Sequence, residues 1–211
     1  VVDLGWNDVW RPRAGRLTTW TVLPSARAAM LRAPVCAGPV PSWQQRYMRA
    51  THRLAGTNCP HGRLHVVEFD IDGYPRIAAM TRAVTALVRR HDMFRSWLSV
   101  EPDDRVVRHM LDPDDVELVA TVRWDVTGAG IGEMVRTSVP DALHWDCFGF
   151  GVIEHEHSFT TYVAVDRLHR GGLTAVSIET ELRALYRREL CDGGGRSRRP
   201  ADYCRSATPI A

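Results

Sequence analysis

Apolar and polar positions recur along the chain with periods that mark most of its elements. Leu17 to Leu23 predicts a strand within an otherwise Pro- and Arg-rich stretch before residue 41, which is expected to be extended. Ser42 is a residue type that caps helix N-termini, and Trp43, Tyr47, Met48, Thr51 and Leu54 follow at helical spacing. Leu64 to Ile71 alternates and predicts a strand. Pro75, as a first-turn proline, opens a helix whose Ile77, Met80, Val84, Leu87 and Val88 form one apolar stripe. Met93 to Val100 predicts a strand, Glu101-Pro102-Asp103-Asp104 a turn, and Arg105 to Met110 its hairpin partner. Val116 to Val122 predicts another strand, and Gly130 to Ser138 a short helix ended by Pro140.

From Leu143 to Leu190 the pattern is richest. Trp145–Ile153 and Phe159–Val165 are aromatic and β-branched runs around Glu154-His155-Glu156-His157-Ser158, which predicts an antiparallel hairpin with Phe148 and Phe150 on one face. The second run enters the polar turn Asp166 to Gly172 and then a helix from about Leu173 to Leu190, with Ile178, Leu182, Leu185 and Tyr186 on its buried face. A strand, a polar turn carrying His169 and a helix make a site-like context. The expected fold is α+β, a mixed or largely antiparallel sheet flanked by helices. It is expected as one domain over residues 15–190, after an extended arm at 1–14 and before a basic irregular tail at 191–211.

Composition narrows the classes. With 211 residues, 45% hydrophobic and 25% charged, the chain is long enough to bury a core without disulfides or metal. No run approaches the roughly 20 apolar residues of a membrane helix. All 27 basic residues are Arg, which reads as GC-rich codon usage rather than phosphate recognition. Six of them fall within the last 25 residues, so the body is near neutral and the tail basic, and no specific nucleic-acid partner is expected. Cys36, Cys59, Cys147, Cys191 and Cys204 are odd in number and form no Cys-x-x-Cys pair. With no apolar core of a signal peptide near residue 1, a reducing cytoplasm is the expected compartment.

Several groups resemble sites by residue type alone. Glu154-His155-Glu156-His157 has metal-ligand chemistry, but alternate positions on an extended turn point apart, so a solvated turn and no metal are expected. His52, His61, His65 and His91 are scattered singly without a matching partner. Cys147 reads as a buried small hydrophobe in mid-strand. Nucleophile-elbow, phosphate-loop and dinucleotide motifs are absent from the sequence, and no cofactor is expected.

Arg90-His91-Asp92-Met93-Phe94-Arg95-Ser96-Trp97 resembles the Arg-His-x-x-x-Arg segment of the condensation-domain superfamily. Asp166 to Gly172 then lies where that family carries His-His-x-x-x-Asp-Gly. Pro41-Ser42-Trp43-Gln44-Gln45 and Leu143 to Gly151 resemble, more narrowly, the mycobacterial polyketide-associated acyltransferases that acylate trehalose glycolipids. The resemblance implies one chloramphenicol-acetyltransferase-like lobe of a two-lobed enzyme, the N-terminal one, so that this chain is expected to be truncated. It also implies transfer of an acyl group from a coenzyme A or carrier-protein thioester, on a polyketide synthase, to a hydroxyl of a trehalose-type glycolipid. Peripheral membrane contact and self-association are further expectations.

Aligned on that motif, the two His positions are Asp166 and Arg167, the Asp position is Gly171, and Gly172 is kept. The resemblance implies that the second His acts as general base or positions the acceptor hydroxyl and that the Asp makes a structural ion pair, to which Arg90 or Arg95 corresponds as support. Arg167 cannot accept a proton and Gly171 cannot pair, so impaired catalysis is expected. His169, two positions further on, is the remaining catalytic candidate, or else an exposed turn residue. Two alternatives stand beside this reading: a non-catalytic module that binds a carrier protein or polyketide synthase, and a single-lobe acetyltransferase that builds its site in a trimer.

Overall fold

The computed structural model describes residues 2–3, 10–53, 64–166, 168 and 174–192. In chain order the elements are β1 (Val2–Asp3), β2 (Gly15–Val22), α1 (Pro24–Met30), α2 (Ser42–Arg53), β3 (Leu64–Asp72), α3 (Ile77–Arg90), α4 (Asp92–Arg95), β4 (Ser96–Val100) and β5 (Val106–Met110). After a 3-10 turn at Pro113–Asp115 come β6 (Leu118–Val126), α5 (Gly128–Ser138), β7 (Phe148–Glu154), β8 (Ser158–Asp166) and α6 (Ala175–Asp192). Six strands form one sheet in the order β1-β3-β8-β7-β2-β6, and β4-β5 is a separate ribbon. Every pairing is antiparallel, so the α+β fold has an antiparallel rather than a mixed sheet.

Helices cover both faces of this sheet, which explains why its central strands lack polar alternation. On β8, Phe159, Val163 and Val165 join one core, which also holds Met80, Val84 and Leu87 of α3 and Ile178, Leu182 and Tyr186 of α6. Their neighbours Tyr162 and Ala164 join the opposite core with Ile131 and Val135 of α5. The strand is therefore buried throughout from Phe159 to Asp166. The stripe on α3 is as the spacing predicts: Met80, Val84, Leu87 and Val88 have no exposed surface. Full burial of each such side chain is worth roughly 1.5–3 kcal/mol, enough to hold a helix that has no side-chain N-cap.

Four expectations from the sequence need correction. Met93 to Val100 is not all strand, because Asp92–Arg95 forms a helical turn before β4 begins at Ser96. That turn sends the adjacent residues Phe94 and Arg95 both inward, which an extended chain cannot do. Trp145 to Cys147 precedes the strand as a buried turn, so Cys147, although fully buried, is not in mid-strand. The stretch before residue 41 contains α1, started by Pro24 in the first helical turn and buried through Ala26 and Ala29. His91 does have a partner, Glu181 of α6, at 2.6 Å.

Toward the ends, β1 pairs with β3, and Trp10 is buried against Tyr162 while its Nε1 donates to Glu68 at 2.8 Å. The last helix continues to Asp192.

Candidate functional site

The turn that follows β8 is anchored by Asp166, the last residue of that strand. Strand pairing sets its place: Leu64 lies opposite Asp166 across β3, and the Asp166 N–H donates to the Cys147 carbonyl at 3.0 Å. Its side chain is fully buried. Oδ1 accepts two hydrogen bonds, from Tyr47 Oη of α2 at 2.9 Å and from the Leu168 N–H at 2.9 Å. The second of these is an Asx turn, the geometry by which Asp bends a backbone two residues ahead.

Helix α2 grips the same turn at a second point. The Leu168 side chain is buried in a small core with Val40, Met48, Leu98, Val106 and Ala142. Gln44 Nε2 reaches the Leu168 carbonyl at 3.4 Å, and Gln44 Oε1 accepts from Arg108 of β5 at 2.9 Å. Gln45 holds the helix entry by donating to the Val40 carbonyl at 2.8 Å. The segment 41–45 is thus a clamp on the site turn.

Two further motif segments meet behind it. The Trp145 indole donates to the Phe94 carbonyl at 2.7 Å, and the Phe94 ring packs edge-on or tilted against Phe148 and Phe150 at 5.5 and 5.4 Å. Asp146 is paired with Arg27 of α1 at 2.5 Å. Residues 90–97 and 143–151 therefore form one aromatic wall beside β7 and β8.

Arg95 is buried; Nη1 donates to the Leu111 carbonyl at 2.8 Å, and Nη2 pairs with Asp92. Its Nε is buried with no hydrogen-bond partner among the described residues. Arg90 is on the surface and pairs with Glu181 at 2.8 Å. Glu181 thereby holds both Arg90 and His91, which ties α6 to the start of the motif. Burial tends to raise the Glu181 pKa, but the hydrogen bonds and charges of His91 and Arg90 prevail and hold it below the usual carboxylate value.

The remaining motif positions, Arg167, His169, Gly171 and Gly172, lie outside the described residues, as do His61 and residues 193–211. Among the described residues no group of three or more His, Cys, Asp or Glu is placed to hold a metal ion. The turn at Glu156 and His157 is exposed, while Glu154 is engaged by Arg16. No helix of the described residues is long and apolar enough to cross a membrane.

The buried Asp166 carboxylate, by accepting from a phenol and a backbone amide, ties α2 and Leu168 to the end of β8. Tyr47, Gln44 and Leu168 carry this arrangement, and only their helical spacing and family-like segment were visible in sequence. The chain is 39% identical over 172 residues to the 2'-acyl-2-O-sulfo-trehalose (hydroxy)phthioceranyltransferase PapA1 of Mycobacterium tuberculosis (strain CDC 1551 / Oshkosh). That match covers 81% of this chain and 34% of PapA1. This chain is a homologue of the PapA trehalose acyltransferases.

The trehalose-2-sulfate acyltransferase PapA2 of M. tuberculosis (strain ATCC 25618 / H37Rv) is 34% identical over 179 residues, which cover 84% of this chain and 38% of PapA2. A solved PapA2 acyl transferase structure superposes with a TM-score of 0.74 at 27% identity, over 92% of this chain and 41% of that one. No protein-family model matches the chain. The chain thus spans little more than a third of the length of the curated PapA relatives it matches.

Proposed function

We propose that this chain is a condensation-type acyltransferase lobe of lipid biosynthesis, the N-terminal lobe of a two-lobed ancestor, spanning residues 15–190. Its reaction class is transfer of a long acyl group from a coenzyme A or carrier-protein thioester to a hydroxyl of a trehalose-type glycolipid. The hydroxyl oxygen attacks the thioester carbonyl, the carbon–sulfur bond breaks, and the hydroxyl proton passes by way of a general base to the departing thiol. Homology to PapA1 and PapA2 supports the class. The observation that carries the assignment to this site is the buried Asp166, at the end of β8, which accepts from Tyr47 Oη and the Leu168 N–H.

The chain departs from an efficient catalyst at two positions of that turn. Arg167 occupies the general-base position and stays protonated, so it cannot take the hydroxyl proton. Gly171 occupies the position of a carboxylate that would pair with Arg95, and Arg95 is left with Asp92, the Leu111 carbonyl and an Nε that has no partner among the described residues. His169 is the remaining imidazole in the turn. The self-association surface we propose is β6, the edge strand that exposes Val119 and Val122.

The test is thiol release from a long-chain acyl-CoA with a trehalose glycolipid acceptor, with the complementary lobe of a PapA relative supplied in trans. Arg167→His with Gly171→Asp is expected to exceed the unmodified chain by about 10²–10⁴-fold, the usual contribution of a general base. Robust turnover by the unmodified chain, abolished by His169→Ala, would instead make His169 the base. Binding of an acyl carrier protein with no turnover in any variant would favour the non-catalytic module.

A further inference from the structure

At the end of the sheet remote from Asp166, β3 and α6 enclose a recess of about 460 Å³. Strand register separates the two places: Asp166 lies opposite Leu64 and the recess contains Asp72, eight residues along β3, or about 26 Å. Arg76, Arg183 and Arg187 line it, together with Tyr186, and Asp72 is the one carboxylate in its wall. The local fold builds this convergence. Gly73 takes a left-handed conformation, with φ of 87°, and its N–H donates to the His157 carbonyl, which turns the chain out of β3 toward Arg76. The Arg76 N–H donates to Tyr186 Oη at 2.9 Å, leaving the phenol proton directed elsewhere.

The charges are unevenly committed. Arg183 is engaged by Glu179 at 2.8 Å and lies over the Phe69 ring. Arg76 and Arg187 have no carboxylate partner among the described residues, although elsewhere on α6 Glu189 takes Arg82 and Glu181 takes Arg90. Two uncompensated guanidinium groups and a phenol donor match one tetrahedral dianion, since a phosphate monoester carries about −1.5 to −2 charges at neutral pH. The rim adds apolar surface, with Tyr74 65% and Leu190 40% exposed.

We propose that this recess binds a phosphate monoester, its phosphoryl group held by Arg76 and Arg187 with Tyr186, and its esterified group lying against Tyr74 and Leu190. The site is separate from the acyl-transfer turn and does not depend on that reading. The ester is either a soluble metabolite-sized molecule or the headgroup of a membrane lipid, and the two sources are distinguished by experiment.

The full chain is titrated with phenyl phosphate by calorimetry, and separately sedimented with phosphatidylcholine vesicles with and without phosphatidic acid. Saturable binding is expected, weakened at least tenfold in Arg76→Ala/Arg187→Ala and unchanged in Arg105→Ala, a distant surface control. Both substituted side chains are exposed, and the Arg76–Tyr186 bond uses the backbone, so the variant should keep its circular dichroism spectrum. Dependence on both arginines in the phenyl phosphate titration establishes a soluble ester as sufficient. The same dependence seen only with phosphatidic acid vesicles assigns a lipid headgroup. Absence of binding in both arms, or binding that survives the double substitution, overturns the proposal, because residual vesicle binding would then belong to the arginines of 193–211.

Discussion

Tyr47 Oη donates to Asp166 Oδ1 at 2.9 Å, joining α2 to the end of β8 across 119 residues of sequence. The bond fixes the point at which the chain leaves the sheet for the motif turn. Tyr47→Phe removes one hydrogen-bond donor to the fully buried carboxylate. The expected loss is about 1–3 kcal/mol, read as a lowered urea midpoint at unchanged m-value. Asp166→Leu, which removes the hydrogen bonds from both Tyr47 Oη and the Leu168 N–H, should cost more than Tyr47→Phe. Equal stability of the three proteins would show that the anchor is dispensable.

Glu181 gives the fold an acid-sensitive tie. Its pKa in the folded protein lies below the ordinary 4.5, so the unfolded chain binds more protons in the window just beneath 4.5. The stabilisation is fully present above pH 4.5 and is lost as pH falls through the folded value. The Tm difference between the unmodified chain and Glu181→Gln should therefore hold down to about pH 5 and shrink below it. A difference independent of pH down to about pH 3 would refute the role assigned to the Arg90–Glu181–His91 group.

His155 is also shifted downward, chiefly by burial. Burial, then the charge of Arg13, push its pKa below 6.5, outweighing the Ala14 carbonyl and Asp70, which act to raise it. The folded state therefore resists protonation, and this contribution to stability is complete above pH 6.5 and drains away as pH drops through the lowered value. A proton NMR titration should place the His155 midpoint below 6.5, and Arg13→Gln should move it upward. A midpoint unmoved by Arg13→Gln would remove the electrostatic part of the explanation.

Gly151 of β7 lies opposite Tyr162 of β8 and leaves room for its ring. A Cβ at residue 151 would collide with Tyr162, whose Oη would stand 2.5 Å away. Tyr162 is itself 2% exposed between the central strands and has nowhere to retreat. Gly151→Ala should cost at least about 1–3 kcal/mol by overpacking. At Gly149 the nearest group is the Val139 Cγ2 methyl at 2.9 Å, one branch of a side chain, so Gly149→Ala should cost less. Chemical denaturation of the two variants side by side decides the ordering.

Local pattern was enough for those elements whose buried face repeats at one period. The α3 stripe, the Ile178, Leu182, Leu185 and Tyr186 face of α6, and the pairing of β7 with β8 are all legible in residue spacing, because burial on one side of a helix or between two covered faces selects apolar residues regardless of the rest of the chain. Segments that turn while buried were not legible. Phe94 and Trp145 carry strand-like residue types, yet each lies in a turn, since Phe94 must meet Phe148 and Phe150 and Trp145 must reach the Phe94 carbonyl. Composition near α1 suggested extension, whereas the structure starts a helix there with Pro24 in its first turn.

The candidate site divides along the same line. The order of the motif residues, the Arg at 167 and the Gly at 171 are properties of the sequence, and an Arg side chain offers donors and no acceptor while a Gly offers no side chain at all. What holds the turn is a matter of tertiary structure: a phenol from α2, a glutamine from the same helix and a carboxylate at the end of β8 have no short-range relation in the chain. Hydrogen bonds between residues more than a hundred positions apart leave no local period, because either partner looks like an ordinary helix or strand residue until the sheet and α2 bring them within 3 Å.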